Sequence, residues 1–459
     1  MKKYYDRELE QKILVEESSL VTTTQKSRLV VITGRRRVGK TELILRVMKN
    51  EKEVPFVYLF VSRIAAKVLI QDWLQTISSV LGVSFIPRCE RLSQVIEYLL
   101  FLGQTQRINV AIDECQDINT IEPSFWSEVQ KAWDLNKKNS QVLLLMSGSI
   151  ASAMRNIFSE YSEPLYGRVD RFIQVRPFSV TVLRDVLQDY STTVDSDDLL
   201  ALYALTGGIP WFVEDLMDRG AVTINQMADV VFEAGSKFVM DGEILLANEF
   251  RSEGTLNRTL LQAIASGISK REELQNVAGP ISVSGSLSRL EKQYELITKE
   301  APIFEKNDRK GRYHISNKYL SFWFAFVQAK EALIAQNNFE ALKNEFLAQY
   351  ETFSGRVLEQ AFFDLFRESK KFKTLGRWWD RKGENEIDLI AINDESAYFF
   401  EVKRNATKYS PQRLIAKIIA FLNQNPAIQS KTIYFGGLSL DDLQRNPREM
   451  LEHSEKFLQ

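Results

Sequence analysis

Gly34, Gly39, Lys40 and Thr41 have the types and spacing to grip a phosphate chain. The stretch Gly34-Arg35-Arg36-Arg37-Val38-Gly39-Lys40-Thr41 fits the pattern G-x-x-x-x-G-K-[ST]. The glycines let the backbone curl so that successive N–H groups face phosphate oxygens. Lys40 brings a point charge to the β- and γ-phosphates, and the Thr41 hydroxyl is a Mg²⁺ ligand. Arg35, Arg36 and Arg37 fill variable positions, where solvated loop charge and a phosphate or nucleic-acid contact are both open. Asp113 and Glu114 supply the complementary acids. Asp113 would hold the Mg²⁺ shell opposite Thr41, and Glu114 would polarise the attacking water. Their order favours ATP hydrolysis over binding alone.

A second constellation lies near the other end. Glu359 is followed by Asp388 and then by Glu401-Val-Lys403. Glu401 and Lys403 fall on one strand face, because side chains two apart point the same way. Asp388 and Glu401 on paired strands would share one Mg²⁺, and Glu359 precedes them as a helix acid. Lys403 would position or deprotonate water and steady the developing charge. That arrangement hydrolyses a phosphodiester. The pattern is shorter than the glycine loop, and a surface salt bridge in an α/β domain fits it too.

Composition narrows the field. The 459 residues suggest about three domains. Hydrophobic residues make up 44% and charged residues 26%, as in globular proteins with sizeable cores, and the net charge is −1. Nucleic-acid binding therefore needs a local basic patch. Only His314 and His453, and only Cys89 and Cys115, occur. This argues against zinc sites, histidine-based nucleophiles and a disulfide framework, and points to the reducing cytoplasm. No stretch approaches the ~18 apolar residues of a membrane span.

The chemistry needs elements to position it. Leu29–Ile32 reads as a buried strand feeding the glycine loop, and Leu43, Ile44, Val47 and Met48 mark the helix after it. Residues 4–25, 65–81 and 91–103 read as helices, and 55–61 as a second strand. Ile108–Asp113 is an apolar strand ending in the acids, with Asn109 as a blemish. Gln141–Met146 is a further strand leading to Ser147 and Ser149, which fit either a γ-phosphate sensor or the cap of a following helix. Arg171–Val175 closes the set. Arg168 or Arg171 suits an arginine finger or plain surface charge.

Downstream, 181–250 is mostly helical, punctuated by Gly207-Gly208-Ile-Pro210. Residues 251–316 give three helices and a hairpin, a winged helix. Ser269 and Glu272 form a capping box. Ser286, Ser288, Arg289 and Lys292 would project outward, as would Lys306, Arg309, Lys310 and Arg312 on the wing. That face grips DNA, or acts as a lid or protein dock. Tyr319–Val327 is an aromatic docking helix and 330–350 a charged helical linker.

Taken together, the chain resembles the archaeal-type ATPases, a P-loop group related to STAND ATPases, fused to a restriction-endonuclease-like domain. The resemblance rests on Gly34–Thr41, Ile112-Asp-Glu-Cys-Gln116, Gly207–Pro210, Tyr319-Leu-Ser-Phe-Trp323, Glu386-Ile-Asp-Leu-Ile390 and Phe400-Glu-Val-Lys403. It implies an α/β fold: an additional-strand (ASCE) P-loop domain with a parallel sheet at 1–180, a helical lid at 181–250 and a winged helix at 251–316. A helical linker at 317–350 and a PD-(D/E)xK nuclease-like domain at 351–459 complete it. The resemblance also implies Glu359 as the supporting helix acid of the metal site formed by Asp388, Glu401 and Lys403, and Ile387 stands where many such nucleases have proline. The implied activity is an ATP-driven switch in which lid closure moves the winged helix and gates the nuclease-like domain. Its implied cofactors are ATP and Mg²⁺. Its implied partners are ATP or ADP and nucleic acid, DNA foremost, with a homo-oligomer open and no membrane contact. The competing reading is a signalling or scaffold ATPase that binds DNA or protein without cutting.

Overall fold

Leu29, Val30, Val31 and Ile32 are all buried, and they split between two cores. Leu29 and Val31 face one side of a sheet; Val30 and Ile32 face the other. Alternate side chains of a strand need cover on both faces, and helices supply it here. The computed structural model describes residues 1–250, 254–305, 311–380 and 383–457. It divides into two compact units, Asp6–Arg176 and Pro177–Gln459, the latter joined by Met1–Tyr5.

The Asp6–Arg176 unit holds five strands: β1 (Arg28–Thr33), β2 (Phe56–Phe60), β3 (Ile108–Asp113), β4 (Val142–Gly148) and β5 (Arg171–Gln174). All neighbouring pairs are parallel, in the order β2-β3-β4-β1-β5. The extra strand β4 thus separates the strand that feeds the glycine loop from the strand that ends in Asp113. The Glu8–Thr24 and Lys40–Asn50 helices cover the Val30 face; Ala66–Leu81, Leu92–Leu102 and Phe125–Asn136 cover the Leu29 face. Asn109 has a partner that explains it: its amide donates to Glu51 Oε2 at 2.8 Å, which also accepts from Ser18 at 2.6 Å and Arg107 at 3.2 Å.

The second unit's larger apolar core runs from Phe178 to Met450, and a smaller one gathers Trp378, Ile390, Phe399, Ile418 and Phe435. The larger core continues across the expected divisions at 250, 316 and 350, while the buried residues of the smaller one all lie beyond 350. The last of these divisions falls inside a single 30-residue helix, Phe339–Glu368. The aromatic helix Lys318–Phe326 is buried on Tyr319, Phe322, Trp323 and Phe326, and Tyr319 and Trp323 donate to the carbonyls of Phe238 and Val239. Gly207 and Gly208 both take positive φ, and a Cβ on Gly208 would lie 2.1 Å from the Phe178 carbonyl, so only glycine fits the turn before Pro210.

Helices Gly254–Ala265, Arg271–Ala278 and Ser284–Ser288 (running on to Gln293) precede the hairpin of β6 (Ile297–Glu300) and β7 (Arg312–Ile315). Two expectations fail here. The Arg271–Ala278 helix starts after Lys270 with no side-chain cap, because Ser269 and Lys270 are drawn into pairing with Tyr313 and Arg312. Ser286 is buried; Ser288, Arg289 and Lys292 are exposed. Lys306, Arg309 and Lys310 lie outside the described residues.

The last sheet comprises β8 (Thr374–Trp379), β9 (Glu386–Ile392), β10 (Ser396–Lys403), β11 (Thr432–Ser439) and β12 (Glu455–Lys456), in the order β12-β11-β10-β9-β8. Only β10 and β11 pair in parallel. Phe400 and Leu389 pack on the side of the Phe339–Glu368 helix, while Phe399 and Ile390 pack against Pro411–Gln424. Among the described residues no helix is long and apolar enough to cross a membrane.

Candidate functional site

The glycine loop is shaped by its backbone. Gly34 (φ +154°) lies so close to β5's end that a Cβ would sit 2.4 Å from the Val175 carbonyl oxygen. Gly39 (φ +91°) starts the Lys40–Asn50 helix without a side-chain cap, leaving its first N–H groups for an anion. Val38 anchors the loop in the core. Lys40 is buried and donates to the carbonyls of Gly34 (2.9 Å) and Arg35 (3.1 Å). Burial pulls its pKa down, and Glu114 and Asp113 offset this in part. Thr41 Oγ1 donates to Asp113 Oδ2 at 2.6 Å. These are hard oxygen donors, and they suit Mg²⁺. Glu114 takes a left-handed conformation (φ 56°) and accepts from Ser149 and Gln116. Ser147 Oγ is fully buried and has no hydrogen-bond partner among the described residues.

The second constellation is partly assembled. Lys403 Nζ stands 3.0 Å from Glu401 Oε1 and 3.9 Å from Asp388 Oδ2. Burial alone would lower the Lys403 pKa, but the two carboxylates outweigh it and raise it. Asp388 Oδ2 accepts the Val402 N–H at 2.7 Å. Lys417 reaches Glu401 Oε2 at 3.3 Å. Glu359 faces the same space from its helix; burial, then the Asp388 charge, push its pKa up to about 8. Asp388 is also raised, by burial first. Among the described residues, no three His, Cys, Asp or Glu side chains converge as a metal ligand set. Of the expected trio Glu359, Asp388 and Glu401, Glu401 is engaged by Lys403 and Lys417.

Comparisons with known proteins fit the first site. Residues 4–216 match a family described as an ATPase domain predominantly from Archaea, and residues 323–415 match one described as archaeal and bacterial proteins of unknown function. An uncharacterized protein of Methanocaldococcus jannaschii is 28% identical over 424 residues, 87% of each chain. A Walker-type ATPase of Pyrococcus abyssi shares the fold at a TM-score of 0.52 and 20% identity, over 70% of this chain and 96% of its own. These findings support an archaeal-type ATPase family. The match of residues 4–216 to an ATPase-domain family supports nucleotide binding and ATPase activity, and Mg²⁺ is the usual companion of ATP in such domains.

Within residues 4–216, Gly34, Gly39, Lys40, Thr41, Asp113 and Glu114 come together as their spacing implies. Arg36 is exposed but adds to the field on Lys40; Arg35 and Arg37 are half-buried. Arg168 is engaged elsewhere. It forms a bidentate pair with Asp134 (3.0 and 2.7 Å) and donates to the carbonyls of Pro164 and Tyr166. Arg171 pairs with the buried Glu17 at 2.8 Å, so both arginines are engaged by carboxylates of their own unit. Sequence reasoning missed two residues. Tyr58 donates to Asp113 Oδ2 at 2.8 Å from β2. Arg7 donates to the Val38 carbonyl at 3.1 Å and to that of Arg176 at 2.6 Å. No motif marks either; Tyr58 was findable only as an inward position on the strand beside β3. Arg312, expected on an outward wing, pairs with Glu386 at 2.8 and 3.0 Å and stacks over Trp379.

Proposed function

We propose that the chain is an ATP-binding and ATP-hydrolysing switch that controls a metal-dependent, nuclease-like site acting on nucleic acid, DNA foremost. The observation that carries the first half is Glu114, held by Ser149 beside the Thr41–Asp113 pair. In this reading Lys40 and the loop N–H groups bind the phosphates, Thr41 and Asp113 take Mg²⁺, and Glu114 orients the water. Ser147 is the sensor. The segments 181–250, 251–316 and 317–350 serve as lid, winged helix and linker.

The second half is supported by Asp388, Glu401 and Lys403 at neighbouring strand ends, with Glu359 facing them. Mg²⁺ is commonly held by one or two carboxylates plus substrate phosphates, so Asp388 and Glu359 would suffice. The metal would polarise the phosphodiester; Lys403 would hold the water. Residues 351–459 are, in this reading, restriction-endonuclease-like.

A phosphate-release assay tests the switch: Lys40→Ala abolishes ATP binding and turnover. Cleavage assays on single- and double-stranded DNA and on RNA, with Mg²⁺ or Mn²⁺ and with Asp388→Ala as control, test the nuclease. Absence of cutting on every substrate sinks it. The rival reading, a signalling or scaffold ATPase that binds without cutting, draws support from Glu401 being paired with Lys403 and Lys417 and from Arg312 being paired with Glu386.

A further inference from the structure

The acid–lysine group opens onto a cavity of about 750 Å³. One wall is β7 and the Lys318–Phe326 helix, another is the Phe339–Glu368 helix, and the third is β8, β9 and Lys403. Most of its cations are neutralised. Arg312 has Glu386, Arg377 has Glu300 at 2.7 Å, and Lys403 and Lys417 share Glu401. Lys318 and Arg356 differ: among the described residues neither side chain has an ion-pair or hydrogen-bond partner within reach. Lys318 is half-buried, in surroundings that make a lone charge costly. Asp364 and Glu300 act on Lys318 only through space, so two positive charges without a direct partner match a phosphomonoester, which carries about −1.5 to −2 at neutral pH. Phe353 on the same wall offers an aromatic face of the kind on which a base stacks.

Size decides between unpaired and paired nucleic acid. The volume lies within the ~300–1,000 Å³ of small-molecule sites. It corresponds to about 9 Å on a side, narrower than the ~12 Å of a single major groove. The Arg312–Glu386 and Arg377–Glu300 pairs hold the hairpin across it.

We propose that this cavity binds an unpaired nucleotide by its terminal phosphate, with Lys318 and Arg356 on the phosphate and Asp388 and Lys403 at the far wall. The ligand class rests on the nucleic-acid reading above; the binding does not require cleavage. Two sources share this chemistry, a free nucleoside monophosphate and the phosphorylated end of a single strand.

Fluorescence anisotropy on the full chain tests it, with EDTA to prevent cutting and in a Lys40→Ala background to silence the glycine loop. The probes are a short single strand with a terminal phosphate, its dephosphorylated form, the blunt duplex, and thymidine monophosphate as competitor. The phosphorylated strand is expected to bind best. Lys318→Met and Arg356→Gln should each weaken it about tenfold and flatten log K against log salt by about 0.7. Arg356 is exposed, so its variant keeps the fold. Competition by the monophosphate at equal concentration supports the site and assigns the free nucleotide as source. Equal binding of the duplex, or binding unmoved by both substitutions, overturns the proposal. Cleavage that is present but indifferent to Lys318 and Arg356 sinks this inference alone. Binding lost in both variants, with no cleavage by the wild type, sinks only the nuclease.

Discussion

Ser149 Oγ donates to Glu114 Oε2 at 2.8 Å, and Gln116 Nε2 donates to the same oxygen at 2.5 Å. The carboxylate is thus aimed by two neighbours while its backbone sits in the left-handed region, a conformation that costs ~1–3 kcal/mol in a non-glycine residue. Such strain persists where the geometry serves a purpose. Glu114→Gln should keep ATP affinity and lose about 10²–10³-fold in turnover, the usual loss for a positioned proton acceptor. Ser149→Ala should lose about tenfold, one charge-assisted hydrogen bond. Calorimetry for binding and phosphate release for turnover separate the two quantities. Equal loss of both would assign Glu114 to binding.

Ser147 makes a different prediction. Its hydroxyl is fully buried on β4 without a partner among the described residues, and such a group costs ~1–3 kcal/mol. Ser147→Ala should therefore raise stability by about 1 kcal/mol in urea unfolding without nucleotide. With saturating Mg-ATP the variant should gain less than the wild type, because the hydroxyl finds its partner on the nucleotide. An equal gain in both would remove the sensor role.

The glycine loop was legible because three local patterns coincide there: a buried run, fixed glycines and a helix with apolar residues on one face. The C-terminal strands were legible for a similar reason, since Glu401 and Lys403 share a face by the period of two. What failed depended on partners far along the chain. Ser269 looked like a cap, yet the hairpin recruits it through Tyr313. Arg312 looked like an exposed wing charge, yet Glu386, seventy-four residues away, claims it. Asn109 looked misplaced until Glu51 supplied its bond. The long Phe339–Glu368 helix hid its continuity because its charged first half reads as a linker.

Two groups around the cavity give opposed pH dependences. Burial and the Asp388 charge raise Glu359 from 4.5 to about 8, so the folded state holds its proton more tightly. That contribution is full below about pH 4.5 and is lost as pH rises towards 8. Burial and then Arg377 lower His314 from 6.5 to about 3, and its contribution is lost as pH falls below 6.5. Between 4.5 and 6.5 the two oppose each other; above 6.5 Glu359 acts without His314, joined up to about pH 7 by Glu368, which burial raises in the same direction. Stability measured by urea unfolding should fall from pH 6.5 to 8 in the wild type. Glu359→Gln should flatten that fall, and His314→Gln should uncover a slope of the same sign from 4.5 to 6.5. An unchanged slope above 6.5 in Glu359→Gln would mean that its carboxyl ionises freely.

Arg377 ties the hairpin to the acid site. Its guanidinium donates to Glu300 at 2.7 Å, to the Asp388 carbonyl at 3.1 Å and to Gln360 at 3.2 Å. It is buried, so removing its only carboxylate hydrogen-bond partner among the described residues strands a charge. Glu300→Gln should cost about 3 kcal/mol, the lower end for a broken buried pair. Glu386→Gln removes a more exposed partner from Arg312 and should cost about 1 kcal/mol or less. Hydrogen exchange of Ile297–Glu300 and Arg312–Ile315 should speed up in Glu300→Gln before global unfolding does. The double variant Glu300→Gln with Arg377→Met should recover part of the loss, because no unpaired charge remains. If the double variant is as unstable as the sum of its singles, the two side chains stabilise the unit independently and the link between hairpin and acid site is not electrostatic.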